Sequence, residues 1–250
     1  MEGLKYQSKK IWIFLVLLAA WFIASQLGLW SSYILPSPQK VAGTAVTMLN
    51  NGELLEAVLV SLKRVLIGFC LAFVISFVLG IWGALVPKVR PYYETLLDFI
   101  RHVPPLSLIP LLILWAGIGE TPKIIIIVLA TFAPMLLNID AGLAGCDKKL
   151  LEVGKTLGFT KRELFTKIML PAAWPSVFVG MRVGLGYSLR AIIGAELVAA
   201  SSGLGYMILD AQTMSRTDKA IVGIIAIGLL GLLLDSSLGW LKRRLFPYLE

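Results

Sequence analysis

The sequence has little of the material from which metal sites, disulfide frameworks and nucleotide sites are built. Its 250 residues include two cysteines and one histidine, and their spacing matches neither a disulfide framework nor a paired-cysteine metal motif. No G-x-x-x-x-G-K-[ST] phosphate loop and no recognised Ser-His-Asp arrangement occurs in it. The chain therefore offers no evident means of holding ATP or of carrying out hydrolysis by itself.

Charge is also scarce, and its two signs are unequal. Charged residues make up 15% of the chain, with 23 Lys and Arg against 15 Asp and Glu. The hydrophobic fraction is 58% and the mean hydropathy is +0.84, which is typical of an integral membrane protein. Because the basic residues lie between long apolar runs, their excess predicts contact with membrane lipid and not with nucleic acid.

Six apolar runs are long enough to cross the roughly 30 Å hydrocarbon layer as helices. They are residues 11–30, 53–86 (with the span proper from about 65), 92–118, 123–143, 174–199 and 220–240. The few basic residues on the predicted outer side are Lys40, Lys123, Arg216 and Lys219. Most other Lys and Arg lie on the opposite side, which predicts that both termini are cytoplasmic. The predicted organisation is a cytoplasmic N-terminus at 1–10 and one transmembrane domain at 11–250.

The most strongly charged stretch lies in the predicted cytoplasmic loop 146–174, and its first part is predicted to form a short helix. Asp147 is placed to cap this helix. Leu150, Val153 and Leu157 recur at helical spacing and form one apolar stripe. Gly158 follows as a helix-ending residue. The pattern predicts a compact helix with one face available for packing.

The second part of the loop is predicted to form another short helix. Thr160 and Glu163 have the spacing of a capping box, in which each side chain accepts from the other residue's backbone N–H. Phe159 and Leu164 flank the cap at the positions of a hydrophobic staple. Pro171 is expected to end this helix, because proline has no N–H to continue it.

This stretch resembles the E-A-A-x3-G-x9-I-x-L-P signature of ABC importer permeases. The fixed positions that match are Glu152, Gly158, Ile168, Leu170 and Pro171. Val153 and Gly154 stand where the signature has two alanines. In that family the element is a coupling helix in a groove of the cytoplasmic ATPase subunit. The resemblance therefore implies an ATPase-coupling role for the matched positions and for Gly154 and Phe159.

Further motifs resemble the third and fifth spans of permeases that import nitrate, sulfonates, taurine or bicarbonate. They are HVPP at 102–105, Pro110, WAGIGE at 115–120, AEL at 195–197 and SGLG at 202–205. With the loop signature, the resemblance covers most of the chain, from about residue 61 to residue 240.

The resemblance implies an all-α, six-span permease of the type I ABC importer fold in the inner (plasma) membrane. Two copies would form the pore, two cytoplasmic ATPase subunits would bind ATP and Mg, and an extracytoplasmic binding protein would deliver substrate. The chain itself would hold no cofactor and would not be an enzyme. Taurine or another aliphatic sulfonate is the favoured substrate, with nitrate, bicarbonate or a vitamin precursor as alternatives. A membrane enzyme or a passive channel is the alternative class, and it leaves the loop signature unexplained.

Ionisable residues inside the predicted spans are the candidates for a translocation path. Such charges cost several kcal/mol unless they are paired or hydrated, so they are expected to face the bundle or a cavity. Arg190 and Glu196, with Trp115 near the end of the third span, are the candidate path residues. The structural alternatives are a salt bridge of an arginine with Glu196 or Asp140, which we favour for Arg182, and a membrane-interface anchor for Trp115.

Three other polar residues are expected to have no role in substrate transfer. Lys63 and Arg64, early in the second predicted helix, are interpreted as interfacial contacts. This part of the helix, which also holds Ser61, is expected either to be interfacial or to face the bundle. His102 is interpreted as an interfacial residue at a cytoplasmic span end.

Overall fold

The computed structural model describes residues 2–28 and 30–246, with side chains for residues 12, 13, 15–28 and 30–246. Every regular element in this part is helical. The helices are α1 (Glu2–Gln26), α2 (Pro38–Asn50), α3 (Glu53–Leu85), α4 (Arg90–His102), α5 (Ile109–Ala116), α6 (Glu120–Ala144), α7 (Lys148–Thr156), α8 (Lys161–Leu164), α9 (Leu170–Ala199), α10 (Leu204–Thr213) and α11 (Thr217–Leu245). Short 3-10 turns lie at Pro87–Val89 and Pro105–Leu108, and a π turn lies at Phe165–Met169.

Four helical runs of the described part are long and apolar enough to cross a membrane: α3, α6, α11 and the run Lys161–Ala199. A fifth crossing arises if Pro87–His102 and Pro105–Ala116 form one span, bent by 86°. Val103 and Pro104 are extended at this bend, with ψ of 119° and 117°, because each precedes a proline. The predicted helix over 92–118 is therefore two helices.

The first predicted span, 11–30, falls on α1, whose described apolar part is Leu15–Gln26. The side chains of Lys5, Lys9 and Lys10, on which the orientation of the N-terminus partly rests, lie outside the described residues. The count of six spans and the division into 1–10 and 11–250 stay predictions.

The centre of the bundle is α6, which packs against both α3 and α9. Glycines make these contacts close. A Cβ on Gly68 of α3 would lie 2.6 Å from Ile127 Cγ2, and a Cβ on Gly180 of α9 would lie 2.8 Å from Asn138 Cβ. Gly186 of α9, by contrast, has open space around it. Close packing of α9 on α6 therefore depends on Gly180 and not on Gly186.

Pro171 does not end the helix that begins at Lys161, and the prediction that it would was wrong. The chain continues as one helical run of 39 residues, Lys161–Ala199. Just before the proline, the N–H of Leu170 donates to the carbonyl of Phe165, which is five residues back. This wider π turn accommodates a residue that has no N–H and whose ring would clash with the carbonyl four residues earlier.

Two short helices, α2 and α10, were not predicted. Ser37 caps α2 by accepting from the N–H of Lys40, and Pro38 occupies its first turn, the position where proline is best tolerated. Thr44 Oγ1 then donates to Asp218 Oδ2 at 2.7 Å and joins α2 to α11. The segment over 31–37 therefore leads directly into α2, and residues 200–203 lead into α10.

The α6–α9 contact predicts a difference between two glycines of the same helix. Gly180→Ala is expected to destabilise the protein by about 1–3 kcal/mol, because its Cβ would meet Met135 O at 3.2 Å as well as Asn138. Gly186→Ala, with open space, is the matched control and should leave stability unchanged or slightly higher. Thermal unfolding of the detergent-solubilised protein measures both. Equal midpoints for the two variants would contradict the packing described.

Candidate functional site

The first arm of the candidate site is α7, and both of its ends are closed by local hydrogen bonds. Asp147 Oδ1 accepts from the N–H of Lys149 at 2.9 Å, as predicted. At the other end the N–H of Phe159 donates to Gly154 O and the N–H of Gly158 donates to Lys155 O, both at 3.0 Å. These two bonds form a Schellman motif, which requires positive φ at its turning residue. Gly158 has φ of +77°, a conformation that glycine adopts without steric cost.

The second arm is α8, and its start is the predicted capping box. The N–H of Glu163 donates to Thr160 Oγ1 at 3.3 Å, and the N–H of Thr160 donates to Glu163 Oε2 at 3.0 Å. Lys167 contributes an exposed ion pair to Glu163 at 2.9 Å and lies 4.7 Å from the centroid of the Phe159 ring. Exposed pairs of this kind stabilise little, so the capping box is what fixes the start of the arm.

Gly154 is the joint between the two arms, which we call together the α7–α8 element (residues 147–171). Gly154 is buried. A Cβ on it would lie 2.6 Å from Leu164 Cδ2, 2.7 Å from Ile168 Cδ1 and 3.3 Å from Phe159 Cδ2. The apolar side chains of the second arm therefore close directly onto the backbone of the first. The predicted staple pair, Phe159 and Leu164, meets at this glycine.

The outer face of α7 is apolar and uncovered. Leu150, Val153 and Leu157 are 51%, 56% and 67% exposed. Glu152 is also exposed, on a different side of the helix from this stripe, and its carboxylate makes no ion pair with any residue that the structure describes. A contiguous exposed apolar stripe is typical of a surface that binds another molecule.

The remaining predicted coupling residues lie where the element joins the membrane helix. Ile168, Leu170 and Pro171 are half-buried. Leu170 packs against a cluster that contains Phe165 and Ala173. The signature residues therefore divide into those that hold the element together and Glu152, which faces outward.

A second polar site lies at the opposite end of α9, around the buried carboxylate of Glu196. Its side chain is 0% exposed and pairs with Arg64, which is 4% exposed, at 2.7 Å. Ser61 Oγ donates to the same carboxylate at 2.8 Å, and the N–H of Gly205 donates to its Oε2 at 2.8 Å. The charge is therefore neutralised by an arginine and capped by the start of α10.

Arg64 also binds the end of α6. Its Nε and Nη2 donate to the two oxygens of Glu120 at 2.6 and 2.7 Å. Its Nη1 donates to the carbonyl of Ser202 at 2.7 Å, and Lys123 pairs with Glu120 at 2.9 Å. One guanidinium thus joins α3, α6, α9 and the loop before α10. The expectation that Arg64 is an interfacial contact was wrong, because its side chain is 4% exposed and pairs with the fully buried Glu196.

The SGLG motif allows the backbone to close over Glu196. Gly203 has φ of +110°, which favours glycine. A Cβ on Gly205 would lie 2.7 Å from Glu196 Cβ. The N–H of Leu204 donates to Ser61 Oγ at 2.8 Å. The part of α3 that holds Ser61 was expected to be interfacial or to face the bundle, and Ser61 faces the bundle; that Glu196 is its partner was not predicted.

Arg182 makes a salt bridge, as expected, but with a different partner. Its Nε and Nη2 donate to Asp235 of α11 at 2.6 and 2.5 Å. Neither Glu196 nor Asp140, the two partners considered from sequence, takes part. The bridge ties α9 to α11.

The structure does not bring the three predicted path residues together. Arg190 lies over the ring of Tyr187, with its guanidinium carbon 5.9 Å from the ring centroid. Trp115 is 72% exposed, and Glu196 is enclosed in the cluster with Arg64. No hydrogen bond or ion pair joins Arg190, Trp115 and Glu196 to one another, so a common role for them stays a prediction.

Comparison with known proteins identifies the class to which this fold belongs. The profile of the family described as "Binding-protein-dependent transport system inner membrane component" matches residues 76–247. The chain also resembles the structure of an amino acid ABC transporter, with a TM-score of 0.62 at 18% identity over 80% of this chain and 97% of that one. At that identity the likeness shows the fold alone.

Relatives with named transport systems match three quarters of the chain or more. SsuC of Bacillus subtilis (strain 168), named as an aliphatic sulfonates transport permease protein, is 36% identical over 93% of this chain and 84% of its own. The taurine transport system permease protein TauC of Escherichia coli (strain K12) is 34% identical over 93% and 86%. The nitrate import permease protein NrtB of Synechocystis sp. (strain ATCC 27184 / PCC 6803 / Kazusa) is 32% identical over 75% and 68%.

The chain is an integral membrane permease of the ABC importer class. It belongs to the binding-protein-dependent transport system inner membrane component family. It is a transport component and not an enzyme, and the ATPase of such a transporter is a separate subunit.

The Glu196 cluster predicts a large difference between buried and exposed ion pairs. Arg64→Gln is expected to cost about 3–5 kcal/mol, because it leaves the buried Glu196 carboxylate without a counter-charge. Arg90→Gln is the control, since the Arg90–Glu94 pair is 45% and 48% exposed and should contribute less than about 1 kcal/mol. Thermal unfolding of the solubilised variants measures both. A loss no larger for Arg64→Gln than for Arg90→Gln would contradict the assignment.

Proposed function

We propose that this chain is the pore-forming permease subunit of an ATP-driven importer for a small aliphatic sulfonate, with taurine the first candidate. Two relatives that match 93% of the chain are named for aliphatic sulfonates and for taurine transport. The nitrate import permease among the relatives supports nitrate as the second candidate. A free channel or a membrane enzyme would leave the α7–α8 element without a use.

The exposed apolar stripe of α7 is the observation that carries the proposal that this element couples transport to ATP hydrolysis. Its three large apolar side chains are at least half exposed, although they stand in a loop where water would otherwise surround them. A groove on an ATPase subunit would cover the stripe, and Glu152 would offer that partner a carboxylate. In this proposal ATP and Mg are held by the ATPase, with two ATPase subunits serving two copies of the permease.

The continuous helix from Lys161 to Ala199 supports the proposed mechanism. Its 39 residues span about 58 Å at 1.5 Å per residue, whereas the hydrocarbon layer is roughly 30 Å thick. The helix therefore has enough length to cross the membrane and still hold the α7–α8 element in the aqueous phase. Movement of the ATPase against α7 would pass through Gly154 into this helix and tilt it, which is the alternating-access step.

Orientation follows from the same proposal. The α7–α8 element and both termini lie in the cytoplasm of the cell, and the Glu196 cluster lies at the outer end of the bundle. A substrate-binding protein would then approach from the side of α2 and α10.

Coupling variants are expected to lose transport without losing the protein from the membrane. Leu157→Ser and Glu152→Ala should each reduce uptake by about tenfold or more, because both remove groups that the ATPase would contact. Val86→Ser is the control, since Val86 is an exposed apolar residue at the same end of the bundle but outside the element. Uptake and substrate-stimulated ATPase activity are measured at matched membrane levels. Full uptake by both variants would rule out the docking role.

The substrate is tested by uptake of labelled taurine, an alkanesulfonate, nitrate and bicarbonate in cells with and without this chain. Loss of taurine or alkanesulfonate uptake in the deletion strain is the expected result. Loss of nitrate uptake alone would replace the sulfonate assignment with the second candidate and leave the coupling proposal intact.

A further inference from the structure

A cavity of about 350 Å³ opens where the bend between α4 and α5 meets the middle of α6 and α9. Arg101, His102 and Tyr187 are its polar lining, and Ala130 and Ala133 of α6 form its apolar wall. Its volume lies in the roughly 300–1,000 Å³ range of small-molecule pockets. The cavity lies beside the bend between α4 and α5, and both an arginine and a histidine line it.

The cavity lies near the middle of the membrane-crossing helices. Ala133 is close to the midpoint of α6, which runs over Glu120–Ala144. The α6–α9 register is fixed beside it by Thr131 and Ser188, whose hydroxyls are 3.0 Å apart. His102 ends α4 at this level, with its Nδ1 2.5 Å from the carbonyl of Asp98. The expectation that His102 lies at a span end was therefore wrong.

Basic groups surround the cavity and are not fully neutralised. Arg101 pairs with Asp98 at 3.2 Å, with both side chains substantially exposed. Arg190 does not line the cavity itself, but it lies over the ring of Tyr187, which does, and it makes no ion pair with any residue that the structure describes. With one carboxylate for two guanidinium groups, the site carries a net positive charge.

Unlike Arg64 and Arg182, the other arginines inside the apolar helices, Arg190 has no carboxylate partner among the described residues. Arg64 is matched by Glu120 and Glu196, and Arg182 is matched by Asp235. Charges at membrane depth face the bundle interior or a water-filled cavity, since lipid does not solvate them. An exposed arginine without a carboxylate is thus best accommodated beside an aqueous path that admits anions.

We propose that this cavity is a site on the translocation path for a small solute with one anionic group, whether an anion or a zwitterion, in which Arg190 and Arg101 bind the sulfonate group of the substrate. Tyr187 and His102 supply further hydrogen-bonding groups, and the alanine wall of α6 accommodates a short aliphatic chain. The assignment of a sulfonate rests on the proposed function, whereas the preference for an anion rests on the cavity itself.

The test measures the charge preference of the cavity with a cysteine at Ala130. Cys70 and Cys146 are first replaced by alanine; Cys146 is buried, and burial raises the pKa of its thiol. The complete transporter in membrane vesicles is then treated with 2-sulfonatoethyl methanethiosulfonate, which is anionic, or with its trimethylammonium analogue, which is cationic. Each rate is divided by the rate of the same reagent with free 2-mercaptoethanol.

We expect the anionic reagent to modify Ala130→Cys about tenfold faster than the cationic one. Arg190→Gln in the same background should remove the preference. The double variant Arg182→Gln/Asp235→Asn removes a neutralised arginine from the same helix and should keep it. Equal rates, a faster cationic reagent or no modification of Ala130→Cys would overturn the proposal.

Protection of Ala130→Cys from modification by added substrates distinguishes the anion site from the assignment of a sulfonate to it. Taurine or ethanesulfonate should slow the modification, as expected for a bound substrate. Protection by nitrate and not by either sulfonate would keep the anion site and reject the sulfonate assignment of the proposed function. No protection by any of these anions would overturn the cavity as a substrate site.

Discussion

A proline that lacks a backbone donor stands where the α7–α8 element meets the membrane, and the rest of the structure depends on how the helix passes it. The π turn at Phe165–Met169 lets the run continue through Pro171, so the element is joined to α9 without a loop. A loop at this point would let the exposed stripe of α7 move independently of the membrane helix. The continuous helix instead makes any displacement of α8 a displacement of α9, and α8 packs directly onto α7 at Gly154.

Different kinds of interaction hold the two ends of the helical run Lys161–Ala199. At the α7–α8 end the contacts are local and apolar, with Gly154 enclosed by three side chains, and most of the element is exposed. At the other end Glu196 is completely buried and tied through Arg64 to α3, α6 and the start of α10. Breaking a buried ion pair is costly, so the Glu196 end of α9 is the fixed end in this arrangement. Movement imposed on α7 would then be greatest in the half of α9 that is nearer to the α7–α8 element.

Local chemistry explains which parts of this arrangement were predictable. The Asp147 cap, the turn at Gly158 and the Thr160–Glu163 box each involve residues within a few positions of one another, and all three were predicted correctly. The partners of Arg64 and Arg182 lie 132 and 53 residues away in sequence, and composition says nothing about which helices meet. The π turn was missed because proline usually ends a helix, and α10 was missed because its glycines are typical of a turn. The packing role of Gly154 was not predictable from the sequence, because it depends on where the side chains of the second arm lie in space.

The most direct test of the central claim, that the α7–α8 element and α9 move as one body, is a distance measurement between spin labels at Lys155→Cys and Val179→Cys. Both positions are exposed, and the background lacks Cys70 and Cys146. Pulsed electron paramagnetic resonance is recorded on the complete transporter without nucleotide and with ATP trapped in its ATPase. The account predicts one narrow distance distribution that is the same in both states. A shifted or broadened distribution with ATP would show that the helix bends at the π turn, and it would contradict the account.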